Sequence, residues 1–435
     1  MTSAFPSSGG ERPTRARFAV LGFALAVTAI AYIDRVRIAI AAPMIKADLG
    51  LSDAQMGYVF SAFTLAYALF EIPSGWMADR FGPRLTLARI VIWWSLMSAA
   101  TGAAAGFWSL VLIRLFFGMG EAGTFPSLSR VYSRWLPAKE HGRAFGLTLM
   151  VGALGGALSL PLMGILLNHV SWRVLFPGFS LIGVGWVLLW IRWFRDEPSR
   201  HGSVNASELA LIGTSAPKPH PPVPWRRLFR NRSLIAVCLV CGSWLYGWYF
   251  WLTWLPTYLL TERGFDLNAT GWMSALPLVC TAFGMVAGGW LSDAFSLRWG
   301  LHKGRRAPAV VALPLAVVAI VAGVLVDSAV SSVLLLSFAA GAAGCGITPV
   351  FAVCVEIGGE HAGVATGTMN MVGNLFGALC PIVVGQSLAL FQSWTVPIAT
   401  VGGFYLLAAG AWFLIDPKNV LGTPPVPVAP SAVVS

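Results

Sequence analysis

Charge is what this 435-residue sequence has least of: 11% of its residues are Asp, Glu, Lys or Arg, and only 18 are acidic. A water-soluble domain carries roughly twice that fraction, so a soluble globule is excluded. The 6 histidines show no ligand spacing, and no P-loop, HExxH or nucleophile elbow is present. That leaves a resident metal and the common hydrolytic chemistries without a site, and the chain reads as no enzyme. Gly118, Gly120 and Gly123 spell GxGxxG, but no strand precedes them and they sit in an apolar helical run, so the dinucleotide reading fails. The six cysteines (Cys238, Cys241, Cys280, Cys345, Cys354 and Cys380) all fall in hydrophobic stretches, where they read as small apolar packing groups.

What is abundant is apolar: 57% of residues are hydrophobic and the mean hydropathy is +0.73. Runs of about 20 such residues recur along nearly the whole chain and predict an all-α polytopic membrane protein, with the lipid bilayer as its solvent. We read 12 transmembrane helices, at 18–42, 54–77, 85–105, 108–130, 143–168, 174–194, 233–260, 270–292, 308–326, 330–355, 363–390 and 394–415. The formal charge of +11 invites a nucleic-acid reading. With the amino terminus on the inner side, however, 23 of the 29 Lys and Arg fall in inner segments, while Lys46, Arg173 and Arg263 fall in outer ones. The basicity is therefore topological, not a nucleic-acid footprint, and it predicts that both termini are cytoplasmic. The first span follows a basic leader but is too long for a cleaved signal, and it is expected to be retained.

The chain repeats itself. GWMADRFGPR, from Gly75 to Arg84, is echoed by GWLSDAFSLR, from Gly289 to Arg298, and Gly50/Gly264 and Gly57/Gly271 agree at the same shift. Span five matches span eleven at Gly142/Gly363, Gly146/Gly367, Met150/Met371, Gly152/Gly373, Gly156/Gly377 and Gly164/Gly385. Two six-helix units result, and six spans return the chain to its starting side, so the repeats are parallel. Such repeats place a substrate site at their interface near mid-membrane. The expected divisions are a tail at 1–17, an amino-terminal bundle at 18–194, a linker at 195–232, a carboxy-terminal bundle at 233–415 and a tail at 416–435. The linker contains PKPHPPVP, from Pro217 to Pro224, and its composition reads as extended and cytoplasmic.

GWMADRFGPR resembles the loop signature of the major facilitator superfamily. YIDR (Tyr32–Arg35), RLFFGMGEAGTFP (Arg114–Pro126), FWLTWLPTYL (Phe250–Leu259) and GTMNMVGNLFG (Gly367–Gly377) are similar to its anion:cation symporter branch of sugar-acid and galactonate-type permeases. The resemblance implies the major facilitator fold, alternating access by rocking of one half against the other, and a bacterial inner-membrane or other plasma-membrane location. It also implies a monomeric carrier of a small organic anion, with the proton as coupling ion and no other cofactor. By the same resemblance Arg35 is the substrate arginine, Asp34 and Glu121 carry protons, and Arg114 is the arginine of the fourth helix.

The residues themselves support a charged site. Span one holds Tyr32, Asp34, Arg35 and Arg37 in an otherwise apolar run, where each charge costs about 2.5–3.5 kcal/mol on insertion scales and so needs a partner or a use. At about 1.5 Å per residue, Asp34 and Arg114 reach one depth and are expected to pair. Glu121 lies two turns below Arg114, near mid-membrane, and Tyr67 is at a similar level. An Arg fork binds a carboxylate bidentately. Burial and a nearby Arg act in opposite senses on the proton of a carboxyl group. This suits proton-coupled uptake of an anion, with a structural ion-pair network locking spans one and four as the competing reading.

Within the expected spans, charge is confined to the first half. The second supplies Asn370 and Asn374, one turn apart, and the aromatics Trp248 and Tyr249 as further candidates for contacting cargo. Asp79, Arg80, Arg84 and Glu71, with the echoes Asp293 and Arg298, are expected to form an inner gate. Two positions depart from the branch pattern: Gly152 stands where many relatives have Gln, and Arg37 where Asn is usual. They leave room for a dicarboxylate or an aromatic acid as cargo beside a sugar acid. A proton-driven exporter of hydrophobic compounds is the alternative on the same scaffold, and a membrane sensor or enzyme would need an output domain or a catalytic cluster.

Overall fold

Backbone polar groups in an apolar segment must be satisfied within that segment, and the described part of this chain meets the requirement with helices. A computed structural model describes residues 12–137, 140–213 and 225–416, apart from the side chains of Asp79, Trp225 and Glu360. The helices are α1 (Ala16–Leu49), α2 (Asp53–Phe81), α3 (Pro83–Thr101), α4 (Phe107–Glu121), α5 (Thr124–Trp135), α6 (His141–Leu167), α7 (Trp172–Trp193), α8 (Ala206–Ile212), α9 (Trp225–Leu228), α10 (Arg232–Thr253), α11 (Leu255–Thr261), α12 (Leu267–Trp299), α13 (Leu301–Leu325), α14 (Ala329–Gly358), α15 (Ala362–Phe391) and α16 (Thr395–Ala411). Among the described residues, 10 helices are long and apolar enough to cross a membrane. The other two expected crossings coincide with α3 and with the consecutive pair α4–α5, which carry Arg84, Arg89, Arg114 and Glu121. Val174, Leu181 and Leu188 on α7, and Val311, Val318 and Leu325 on α13, form exposed apolar rows at seven-residue spacing. Such surfaces belong in lipid, and the chain is a multi-pass membrane protein.

The duplication extends to local backbone chemistry. Gly50 and Gly264 both adopt positive φ, at 63° and 68°, and two residues later Ser52 and Asp266 accept the first amide hydrogen bonds of α2 and α12. What the sequence presents as a charged loop is almost entirely helix: α2 runs to Phe81 and α12 to Trp299, each followed by one positive-φ glycine, Gly82 at 81° and Gly300 at 79°. Between the matched tryptophans Trp76 and Trp290 and these glycines, α12 is one helical turn longer than α2. Span seven is broken at Trp254, because Pro256 removes a backbone donor. Span one instead runs on past the expected end at 42 to Leu49, through Pro43.

The two halves are in close backbone contact at the end far from the start of α1. A methyl group built on Gly57 of α2 would lie 3.4 Å from Cα of Gly385 on α15, and one built on Gly271 of α12 would lie 2.8 Å from Cα of Pro161 on α6. These are repeat-related crossings, and they hold backbone against backbone. At the end from which α1 rises, Gly142 and Gly146 on α6 and Gly363 and Gly367 on α15 face open space. The halves are therefore sealed backbone to backbone far from the start of α1, and further along α2 a side-chain hydrogen bond from Asn370 to Glu71 joins them.

The linker departs from its expected extended form in its first part. Trp135 donates to the Arg195 carbonyl at 3.0 Å, and the His201 ring lies 4.4 Å from that of Trp193. Asn205 caps α8, and Glu208, fully buried, accepts from the Ala16 and Arg17 amides at 3.3 and 3.2 Å and from the Thr14 hydroxyl. These capping residues outweigh the composition, which is dominated by a Pro-rich tract that lies outside the described residues together with 1–11 and 417–435.

Candidate functional site

The glycines at 118, 120 and 123 bring the fourth span into place. A Cβ on Gly118 would strike the Phe63 carbonyl, one on Gly120 the Trp93 ring, and one on Gly123 would come 2.7 Å from Cβ of Ser74. The GxGxxG pattern thus packs α4 on α2 and α3, and it ends α4 with Glu121 facing α1. There Arg35 Nε donates to Glu121 Oε1 at 3.1 Å and a second guanidinium nitrogen reaches the same oxygen. Three rings surround the cation: Tyr32 at 5.1 Å, Phe63 at 5.1 Å and Tyr67 at 4.9 Å from Cζ. The side chains are 9% and 2% exposed, and breaking a buried pair of this kind by removing one partner costs about 3–5 kcal/mol. Tyr32 lies against Gly152, where a Cβ would sit 2.8 Å from its ring. The position without a side chain is filled by the aromatic that borders Arg35.

Asp34 and Arg35 are neighbours in sequence but turn to different sides of α1. Asp34 pairs with Arg37, one turn on, and the Ser98 hydroxyl lies 3.5 Å from its Oδ1. Arg37 is fully buried against Phe176 and Phe179 of α7, with Cζ 4.8 and 5.5 Å from their centroids. This differs from the expected Asp34–Arg114 pair. Arg114 instead lies over Phe63 and Phe117, at 5.0 and 4.6 Å, and among the described residues no ion pair joins it to a carboxylate. Equal depth placed Asp34 and Arg114 level, but the i, i+3 geometry gave Asp34 a nearer partner on its own helix.

From the second half, Tyr249 donates to Asn374 Oδ1 at 3.1 Å, and Asn374 Nδ2 donates to the Asn370 carbonyl at 3.0 Å. Asn370 Nδ2 then donates to both carboxylate oxygens of Glu71, at 2.7 and 2.9 Å. Tyr249 stands within electrostatic reach of Arg35, so α1, α2, α4, α10 and α15 converge on one polar cluster between the halves. Trp248 does not join it and stacks on Trp244, with centroids 5.6 Å apart.

The expected gate residues are scattered. Glu71 sits in the inter-half cluster just described. Arg84 donates to the Ile191 carbonyl at 2.5 Å, and its amide donates to Asp196 at 2.9 Å, both within the first half. Arg80 is exposed beside Trp76 and Phe81, and the Asp79 side chain lies outside the described residues. In the second half Arg305 pairs with Asp293 at 2.5 Å and with Glu356 at 2.9 Å, while Arg298 is exposed. Arg305, Glu356 and Glu208 were missed from sequence, where nothing sets them apart from other inner-loop charges. Arg37 was visible as a buried charge, and its spacing from Asp34 was the signal to its partner.

Residues 24–381 and 264–435 match the Major Facilitator Superfamily. The probable sulfoacetate transporter SauU of Cupriavidus necator is 36% identical over 417 residues, covering 94% of this chain and 96% of its own. The probable galactarate/D-glucarate transporter GudP of Bacillus subtilis is 31% identical over 427 residues, covering 93% and 92%. The D-galactonate transporter of Escherichia coli O6:H1 is 29% identical over 428 residues, covering 94% and 98%. Among solved structures, a bacterial homologue of the human lysosomal transporter Spinster, in an inward-facing and unoccupied conformation, superposes with a TM-score of 0.77 at 22% identity, covering 92% of this chain and 97% of that one. A D-xylose-proton symporter does so at 0.74 and 14%, covering 92% and 98%. At these identities the structures speak to the fold alone.

Proposed function

Since this chain belongs to the Major Facilitator Superfamily, as a transporter of the sugar-acid and organic-anion type and not an enzyme, we propose that it is a proton-coupled symporter. It takes up a small organic anion across a plasma membrane, the inner membrane in a bacterium. Twelve helices in two parallel repeats rock about a central site, the termini are cytoplasmic, and a monomer in the bilayer suffices. With that topology, the sealed end is the outer one.

The observation that carries this reading is the Arg35–Glu121 pair inside its ring of Tyr32, Phe63 and Tyr67. An incoming carboxylate or sulfonate competes with Glu121 for the Arg35 fork. Once displaced, Glu121 is a desolvated carboxylate without its partner, and taking a proton removes that penalty. Cargo binding and proton uptake thereby favour each other, which is the thermodynamic content of symport. Tyr249, Asn374 and Asn370 supply neutral hydrogen-bonding groups for the far end of the cargo. An exporter of hydrophobic compounds has no use for a guanidinium held at the centre of the cleft.

The test is uptake into proteoliposomes with radiolabelled D-galactonate, D-glucarate and sulfoacetate, under inward and outward proton gradients. Uphill accumulation under outside acid is expected for at least one of them. In Glu121→Gln that accumulation is expected to vanish while counterflow exchange survives. Accumulation driven only by the opposite gradient overturns the direction assigned here.

A further inference from the structure

Asp34 and Glu121 lie buried in the first half and each holds a different arginine, whereas a third carboxylate, Glu71, is held by the Asn370 amide. We propose that only Glu121 carries a transported proton, and that Arg37 is a positioning residue which keeps Asp34 permanently charged. The inference rests on the proton-coupled reading above and sharpens it to one proton per cargo molecule.

The argument turns on what each arginine has left when its acid is neutralised. Arg35 borders the cleft between the halves, ringed by Tyr32, Phe63 and Tyr67, and an anionic cargo can take over the fork that Glu121 releases. Arg37 has no such replacement. It is fully buried, its Nε and Nη1 have no hydrogen-bond partner among the described residues, and its remaining neighbours are the Phe176 and Phe179 rings. A proton on Asp34 strands that cation in an apolar wall, which is the costly half of a broken buried pair. Of the other groups facing Asp34, the hydroxyl and the second cation act in the same direction, and the apolar rings oppose them. Ser98 on α3 offers a hydroxyl, Arg114 on α4 adds a second positive charge within electrostatic reach, and α7 presents the two phenylalanine rings. Glu121 on α4 is also within electrostatic reach of Asp34, but its own charge is met by Arg35.

Two measurements on the full-length protein in lipid decide it. With the membrane voltage clamped, the logarithm of the D-glucarate, D-galactonate or sulfoacetate accumulation ratio is plotted against the imposed pH difference. A slope of one is expected for the wild type, and a slope of two overturns the proposal. In parallel, pH-difference infrared spectra follow the protonated carboxyl signal that is slow to exchange with deuterium. It is expected to disappear in Glu121→Gln and to persist in Asp34→Asn/Arg37→Gln, whereas its loss in that folded pair variant overturns the proposal. The wild-type slope needs no variant, so a pair variant that fails to fold leaves the question decidable. If no probe accumulates under acid at all, the proposed function falls, while the infrared comparison still supports or overturns the division between the two acids.

Discussion

Asn370 on α15 gives its amide to both oxygens of Glu71 on α2, at 2.7 and 2.9 Å, and so ties the second half of the molecule to the first. A hydrogen bond between helices in a bilayer is worth about 0.6 kcal/mol on average and up to about 1.7, and a charged acceptor belongs at the upper end of that range. A double-mutant cycle of Glu71→Ala and Asn370→Ala, read by thermal unfolding in detergent, is expected to give a coupling energy of about 1–2 kcal/mol. Additive single effects would mean that the contact contributes nothing.

Arg35 and Glu121 answer to charge and to shape separately. Arg35→Ala leaves Glu121 as an unpaired buried carboxylate, and stability is expected to fall by about 3–5 kcal/mol. Arg35→Ala/Glu121→Gln is expected to recover most of that stability without regaining cargo binding. Arg35→Lys keeps the charge but loses the planar fork, so affinity is expected to fall at least about tenfold, equivalent to about 1.4 kcal/mol. Ligand-induced shifts in melting temperature measure all three.

The far-end seal depends on an absent side chain. Gly57→Leu drives atoms into the Pro381 backbone, whose carbonyl already meets the position of a Cβ. The halves are then unable to close at that end. Transport is expected to drop at least about tenfold, with cargo binding retained from that side. Cysteine-accessibility labelling of the cleft from each side distinguishes this outcome from misfolding.

Glu208 fastens the linker to the start of α1. Its carboxylate accepts from the Ala16 and Arg17 amides, two of the donors a helix start leaves unpaired. Glu208→Ala is expected to cost about 1–2 kcal/mol locally and to raise hydrogen–deuterium exchange across residues 14–20, while Glu208→Gln retains part of the protection. Unchanged exchange in both variants contradicts the fastening role.

Much of this arrangement was legible because apolar runs of span length and their repeat-related glycines are one-dimensional signals. Gly57, Gly164, Gly271 and Gly385 were visible as paired positions before their contacts were known. The partners of the buried charges were less legible. Counting residues fixes a side chain's height in the membrane, and Asp34 and Arg114 do share one, but it leaves open which way round the helix each points. Arg37 therefore went unassigned, although its i, i+3 spacing put it on the face of Asp34. The linker failed for a different reason: an average over residues 195–232 weighs a Pro-rich tract equally with the few side chains that anchor its first part. Trp248 and Tyr249 are consecutive on one helix, and the sequence does not tell which of the two turns to the Asn374 amide and which stacks on Trp244.

The seal of backbone against backbone also bears on the rocking motion proposed above. Dispersion attraction between such close surfaces is short-ranged, and a gap of about 1 Å already forfeits up to half of it. A crossing such as Gly57 against Gly385, which sits at contact distance, therefore has little grip once it starts to part, and its repeat-related counterpart at Gly271 is subject to the same rule. In that rocking motion, separation at this end is therefore expected to be abrupt, with few molecules caught half open.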